Sequence, residues 1–171
     1  MSHITNINLS KKNWDVVTEK LVIVGVYEEK TLSPIAEIIN SSSQNMFKHA
    51  INSGDVNGKV GTSHTFYFND KIIILIGLGS QKNYDSNIAR VVAGNASRLV
   101  IKKNLDSFVT ECFCGGEAKH CQSIGEGLVL GSYEFLDYKT KKNKKTKLES
   151  VTIVGCNSSL LEKGFEIGKS V

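Results

Sequence analysis

Two short segments of this chain are apolar at almost every position: Leu21-Val22-Ile23-Val24-Gly25-Val26-Tyr27 and Ile72-Ile73-Ile74-Leu75-Ile76. A surface helix confines its apolar residues to one stripe, and a half-exposed strand alternates them with polar ones. Unbroken runs this short, rich in β-branched residues, suit strands buried on both faces. Such strands need helices above and below, which the remaining segments have to supply.

The spacing predicts those helices. Ser33-Pro34 reads as an N-cap followed by proline at the first helical position, where the missing N–H costs no hydrogen bond. Ile35, Ile38 and Ile39 continue a short helix that the serines at 41–43 interrupt. Met46, Phe47, Ala50 and Ile51 line a second, stopped by Gly54. Val60 to Phe68 alternates, and Asn69-Asp70 turns the chain into the run after Lys71, which predicts a hairpin. Between Asp85 and Lys103, Ile88, Val91, Val92, Ala96, Leu99 and Val100 recur at helical spacing. A strand is expected over Ser107 to Cys114, a helix over Glu117 to Phe135 and a strand over Val151 to Val154. A last helix, capped by Ser158, is expected to run through Val171. The whole predicts an α/β fold with a mixed β-sheet sandwiched between helices. Because no C-cap closes Gly164 to Val171, the chain is expected to be a piece of a longer protein.

A length of 171 residues suits one domain, 1–171. The formal charge is +4, yet six lysines sit in one segment: Lys139, Lys141, Lys142, Lys144, Lys145 and Lys147. Without those six the rest carries −2, so a mildly acidic body bears one basic loop. These lysines are the candidate nucleic-acid contacts, against the plainer reading of a solvated loop. No apolar run approaches the ~18 residues of a membrane span. The opening Met-Ser-His-Ile-Thr-Asn lacks a secretory pattern, and four irregularly spaced cysteines make no secreted disulfide framework. A cytoplasmic location is the expectation.

Little in the chain nominates chemistry. Gly77-Leu78-Gly79-Ser80-Gln81-Lys82 could turn backbone N–H groups toward a phosphate. The third glycine of the dinucleotide pattern is replaced by Lys82, however, and no acidic residue stands ~20 positions on. Cys112, Cys114, His120 and Cys121 lack zinc-site spacing, and the cysteines read as small buried hydrophobes. The carboxylates read as surface charges, and His3, His49, His64 and His120 are scattered with no nucleophile elbow. No catalytic, cofactor-binding or metal-ligating residue is expected.

Several stretches, taken in order, resemble a known family. They are Leu21 to Tyr27 with Leu32-Ser33-Pro34; Gly54-Asp55-Val56-Asn57-Gly58-Lys59-Val60-Gly61; and Ile72 to Gly79. The most specific is Glu126-Gly127-Leu128-Val129-Leu130-Gly131-Ser132-Tyr133-Glu134-Phe135-Leu136-Asp137-Tyr138-Lys139, followed after the lysine loop by Leu148-Glu149-Ser150-Val151. From Leu21 to Val171 the chain is similar to the N-terminal domain of cytosolic leucine aminopeptidases.

The resemblance implies a macro-domain-like fold joined by a long helix to a larger catalytic domain. That domain would bind two divalent metal ions, zinc or manganese, and remove N-terminal residues from peptides. The resemblance also implies a homo-hexamer, and DNA binding by some members. The family's metal ligands and catalytic signature have no counterpart here, so the implied role is structural. An ADP-ribose-like nucleotide, at Gly77 to Gly79, is the alternative ligand that a macro-type fold suggests.

Overall fold

The computed structural model describes residues 4–10, 19–115, 117–133, 147–155 and 158–171. Of the six candidate lysines only Lys147 falls within them, and it is exposed; the other five lie outside the described residues, as does His3.

Six strands form one sheet: β1 (Asn6–Ser10), β2 (Leu21–Tyr27), β3 (Ser63–Phe68), β4 (Lys71–Gly79), β5 (Ser107–Glu111) and β6 (Ser150–Val154). Their order is β1-β6-β5-β2-β4-β3, and every neighbouring pair is parallel except the β3–β4 hairpin. The hairpin turns at Asn69 and Asp70, both at positive φ, which short polar side chains tolerate. The two apolar runs are β2 and β4, adjacent at the centre, as their continuous burial requires.

Helices α1 (Pro34–Ser42) and α2 (Met46–Asn52) cover one face, where Ala36, Ile39, Phe47 and Ile51 pack on Val22, Val24, Ile73 and Leu75. Helices α3 (Ser86–Lys102), α4 (Lys119–Ser132) and α5 (Ser158–Lys169) cover the other, where Val92, Ala96, Ile124, Leu128 and Leu161 meet Ile23, Ile74, Phe108 and Ile153. This is the mixed sheet between helices that the alternation predicts.

Local signals worked at α3. Asp85 is its N-cap, and Oδ1 accepts a 2.9 Å hydrogen bond from the Ile88 N–H. Replacing Asp85 by alanine is expected to cost about 1 kcal/mol, read as a lower denaturant midpoint with an unchanged slope.

Elsewhere the boundaries moved. β5 stops at Glu111, not Cys114: Cys112 N–H keeps one bond to the Val154 carbonyl, and Gly115 at φ 61° turns the chain toward α4. α4 and α5 end at Ser132 and Lys169, short of the expected Phe135 and Val171. The Ser170 N–H closes the last turn of α5 onto the Glu166 and Ile167 carbonyls. Strand β1 was not expected. Its NINLS sequence alternates only two apolar residues, and its partner β6 lies far along the chain.

Candidate functional site

The carboxyl ends of parallel strands leave a crevice where successive connections diverge, and such crevices are where open α/β sheets bind ligands. In this chain β2 connects through α1 and α2 to the hairpin on one side, while β4 connects through α3 to β5 on the other. The crevice beyond these strands is about 510 Å³. Its walls include Tyr27, Ser33, Leu78, Glu111, Cys112 and Cys114.

Glu111, the last residue of β5, is 4% exposed. One carboxylate oxygen accepts the Gly25 N–H of β2 at 3.2 Å, and the other accepts the Ile35 N–H of α1 at 3.0 Å. The start of α1 thus receives an acceptor for one of its free N–H groups from a residue 76 positions away. Ser33, the expected cap, makes no side-chain cap bond. Its hydroxyl instead accepts the Gly25 N–H at 3.0 Å. Burial raises the Glu111 pKa to about 7, while the Ser33 hydroxyl and the Ile35 and Gly25 N–H groups pull the other way. Glu111 corrects the expectation that the carboxylates are surface charges. Its signal was a lone acid at the end of Phe108-Val109-Thr110, in a strand that must be covered on both faces.

Tyr27 lines the crevice, and Tyr84 packs against it from outside that lining. Tyr84 donates to the Phe113 carbonyl and stands edge-on to both Tyr27 and His120. Burial pushes the phenol pKa of both tyrosines up, Tyr84 much more strongly. Glu29 is held below the usual carboxylate range by the Gln81 N–H and the Ser80 hydroxyl, which it accepts at 2.9 and 2.7 Å.

The glycine loop does different work from phosphate binding. The Gly77 N–H donates to Thr62 O at 2.9 Å, and the Gly79 N–H to Gly58 O at 2.8 Å. A Cβ on Gly77 would lie 1.8 Å from the Lys59 carbonyl oxygen. These glycines let the segment before β3 press against β4, and their N–H groups are already used.

The described histidines stay apart: His49 is exposed on α2, His64 lies beside the Phe66 ring on β3 at a tilt of 49°, and His120 is buried at the start of α4. Cys112, Cys114 and Cys121 do converge, with their sulfurs within 4.8 Å of one another. This is the one grouping of three or more His, Cys, Asp or Glu ligand atoms among the described residues. Thiols suit soft cations, and manganese prefers oxygen ligands. The paired zinc or manganese centre that the resemblance implies belongs to the separate catalytic domain, and this all-sulfur group does not match manganese.

Comparison with known proteins accounts for this fold. The family model described as the N-terminal domain of the cytosol aminopeptidase family matches residues 23–142. A probable cytosol aminopeptidase of Alkaliphilus metalliredigens (strain QYMF) is 27% identical over 88% of this chain and 33% of its own length. The cytosol aminopeptidase of Dictyostelium discoideum is 26% identical over 95% of the chain and 33% of its own length. A solved tomato leucine aminopeptidase mutant superposes with a TM-score of 0.79 at 20% identity, covering 99% of this chain and 36% of that one. The bottromycin maturation enzyme BotP superposes at 0.65, with 15% identity over 88% of this chain and 30% of that one. The chain spans about a third of the length of the curated relatives it matches. It belongs to the cytosol aminopeptidase family, of which it represents the N-terminal domain.

Proposed function

We propose that this chain is one non-catalytic domain serving a metal-dependent leucyl aminopeptidase in the cytoplasm. Hydrolysis of N-terminal peptide bonds belongs to a separate catalytic domain, which binds the two zinc or manganese ions. The present domain supports assembly of a homo-hexamer and shapes access to the active sites. The observation that carries this reading is the family match over 23–142 in a chain equivalent to about a third of its relatives.

The test is direct. This chain, incubated with leucine p-nitroanilide and manganese, is expected to give no chelator-sensitive release of p-nitroaniline above the buffer control. Joined to the catalytic domain of a relative such as the Alkaliphilus enzyme, it is expected to yield an active oligomer by light scattering. Robust turnover by this chain alone would overturn the reading.

A further inference from the structure

The cysteine cluster is more than a set of small side chains filling a core. Cys112 and Cys114 are half-buried on the wall of the crevice, and Cys121 is buried in the first turn of α4. The sulfurs of Cys112 and Cys121 lie 3.6 Å apart, and that of Cys114 is within 4.8 Å of both. Thiolates bonded to one zinc ion at about 2.3 Å with tetrahedral angles sit about 3.8 Å apart, so the arrangement needs little adjustment.

The backbone around the sulfurs is held independently of any ion. Cys112 N–H donates to Val154 O at 3.0 Å. The Phe113 side chain is buried between the two half-buried cysteines, and its carbonyl accepts the Tyr84 hydroxyl. The Cys114 carbonyl accepts the Glu117 N–H at 3.0 Å and lies 2.8 Å from His120 Nδ1. Outer contacts of this kind orient ligands before metal arrives and reduce the ordering cost of binding. The crevice adds a route of entry and room for a water in the fourth position.

We propose that Cys112, Cys114 and Cys121 form a binding site for a thiophilic divalent cation of the zinc kind, assembled when Cys112 is reduced. Cys112 is disulfide-bonded, whereas Cys114 and Cys121 are thiols. A dithiol reductant supplies two electrons and two protons, turning the bridge into two thiols as the dithiol closes to its own disulfide. The cation then displaces the three thiol protons to solvent and gains three sulfur ligands. The site is therefore open in a reducing compartment and closed in an oxidising one.

The experiment uses the whole chain, reduced with dithiothreitol, desalted without oxygen and given zinc(II) alone. Native mass spectrometry is expected to show one zinc per chain, and competition against a chromophoric chelator a Kd below about 1 μM. Cys114→Ser and Cys121→Ser are each expected to weaken binding at least tenfold with an unchanged circular dichroism spectrum. The oxidised chain is expected to take up none. Should Cys121→Ser fail to fold, the half-buried Cys114→Ser and the reduced-against-oxidised comparison still decide the matter. No uptake by the reduced chain, equal affinity in Cys114→Ser, or equal uptake by the oxidised chain would overturn the proposal.

Discussion

Replacing Glu111 by alanine is expected to destabilise the protein by about 3 kcal/mol at pH 5, where its proton is held, a fall in melting temperature on the order of 10 °C for a domain this size. The carboxylate joins three elements: its own strand β5, the Gly25 N–H of β2 and the Ile35 N–H opening α1. Its removal leaves the part-buried Ile35 N–H without its protein acceptor, and a void where the side chain stood. Gly25 N–H keeps Ser33 Oγ as a second acceptor, so its loss is smaller. Thermal melting at fixed pH measures the difference; a change below about 1 kcal/mol would contradict a structural role for this carboxyl.

The same residue makes stability depend on pH, with a definite sign. A glutamate in the unfolded chain ionises around its ordinary value of 4.5, whereas Glu111 in the fold holds its proton up to about 7. Between those values the native state binds more protons than the unfolded state, so stability falls as pH rises. The contribution is fully present below 4.5, is lost as pH climbs through the window to about 7, and is level above it. The gap corresponds to about 3 kcal/mol across the window. Melting curves from pH 5 to pH 8 should show this slope, and Glu111→Gln should flatten it. The glutamine is also expected to be about 1–2 kcal/mol less stable, because its NH2 group faces a backbone donor. A slope of equal size in Glu111→Gln would assign the titration to another group.

The second large effect is expected where an ordinary propensity argument gives the wrong sign. Glycine to alanine inside a helix usually stabilises by about 1 kcal/mol. At Gly164 of α5 the new Cβ would sit 1.8 Å from the Gln122 carbonyl oxygen of α4, which is backbone and cannot swing aside. At Gly131 it would meet the Gly94 backbone of α3 at 2.3–2.4 Å. The helices on this face therefore touch backbone to backbone, and one added methyl has to push them apart. Gly164→Ala is expected to destabilise by about 3 kcal/mol net of its propensity gain, with loss of amide-exchange protection concentrated in α5. Lys163→Ala, its exposed neighbour, should stay within about 0.5 kcal/mol of the parent. Equal effects in the two variants would contradict close packing as the cause.

Legibility in the sequence followed the range of the interactions. β2 and β4 were readable because continuous burial leaves a continuous apolar run, and α3 because its cap and its periodicity lie within one segment. β1 was not, since two apolar residues in an edge strand gain their meaning only from β6 beside them. The start of α1 was located correctly by Ser33-Pro34, but for an incomplete reason: the acceptor that completes it arrives from β5. The glycines of α4 and α5 become contacts only where α3 packs on α4 and α4 on α5. The cysteines have irregular spacing along the chain, and they converge because β5 ends beside the start of α4.

The alternating elements, the double burial of the central strands and the ordered family stretches belong to the sequence alone, because each is a property of neighbours along the chain. Tertiary structure decided which glutamate is buried, which glycines are contacts and which thiols meet. The first two depend on residues dozens of positions apart packing together, and the third on how the chain turns between β5 and α4. Position in sequence carries no record of that closeness until the layers have packed.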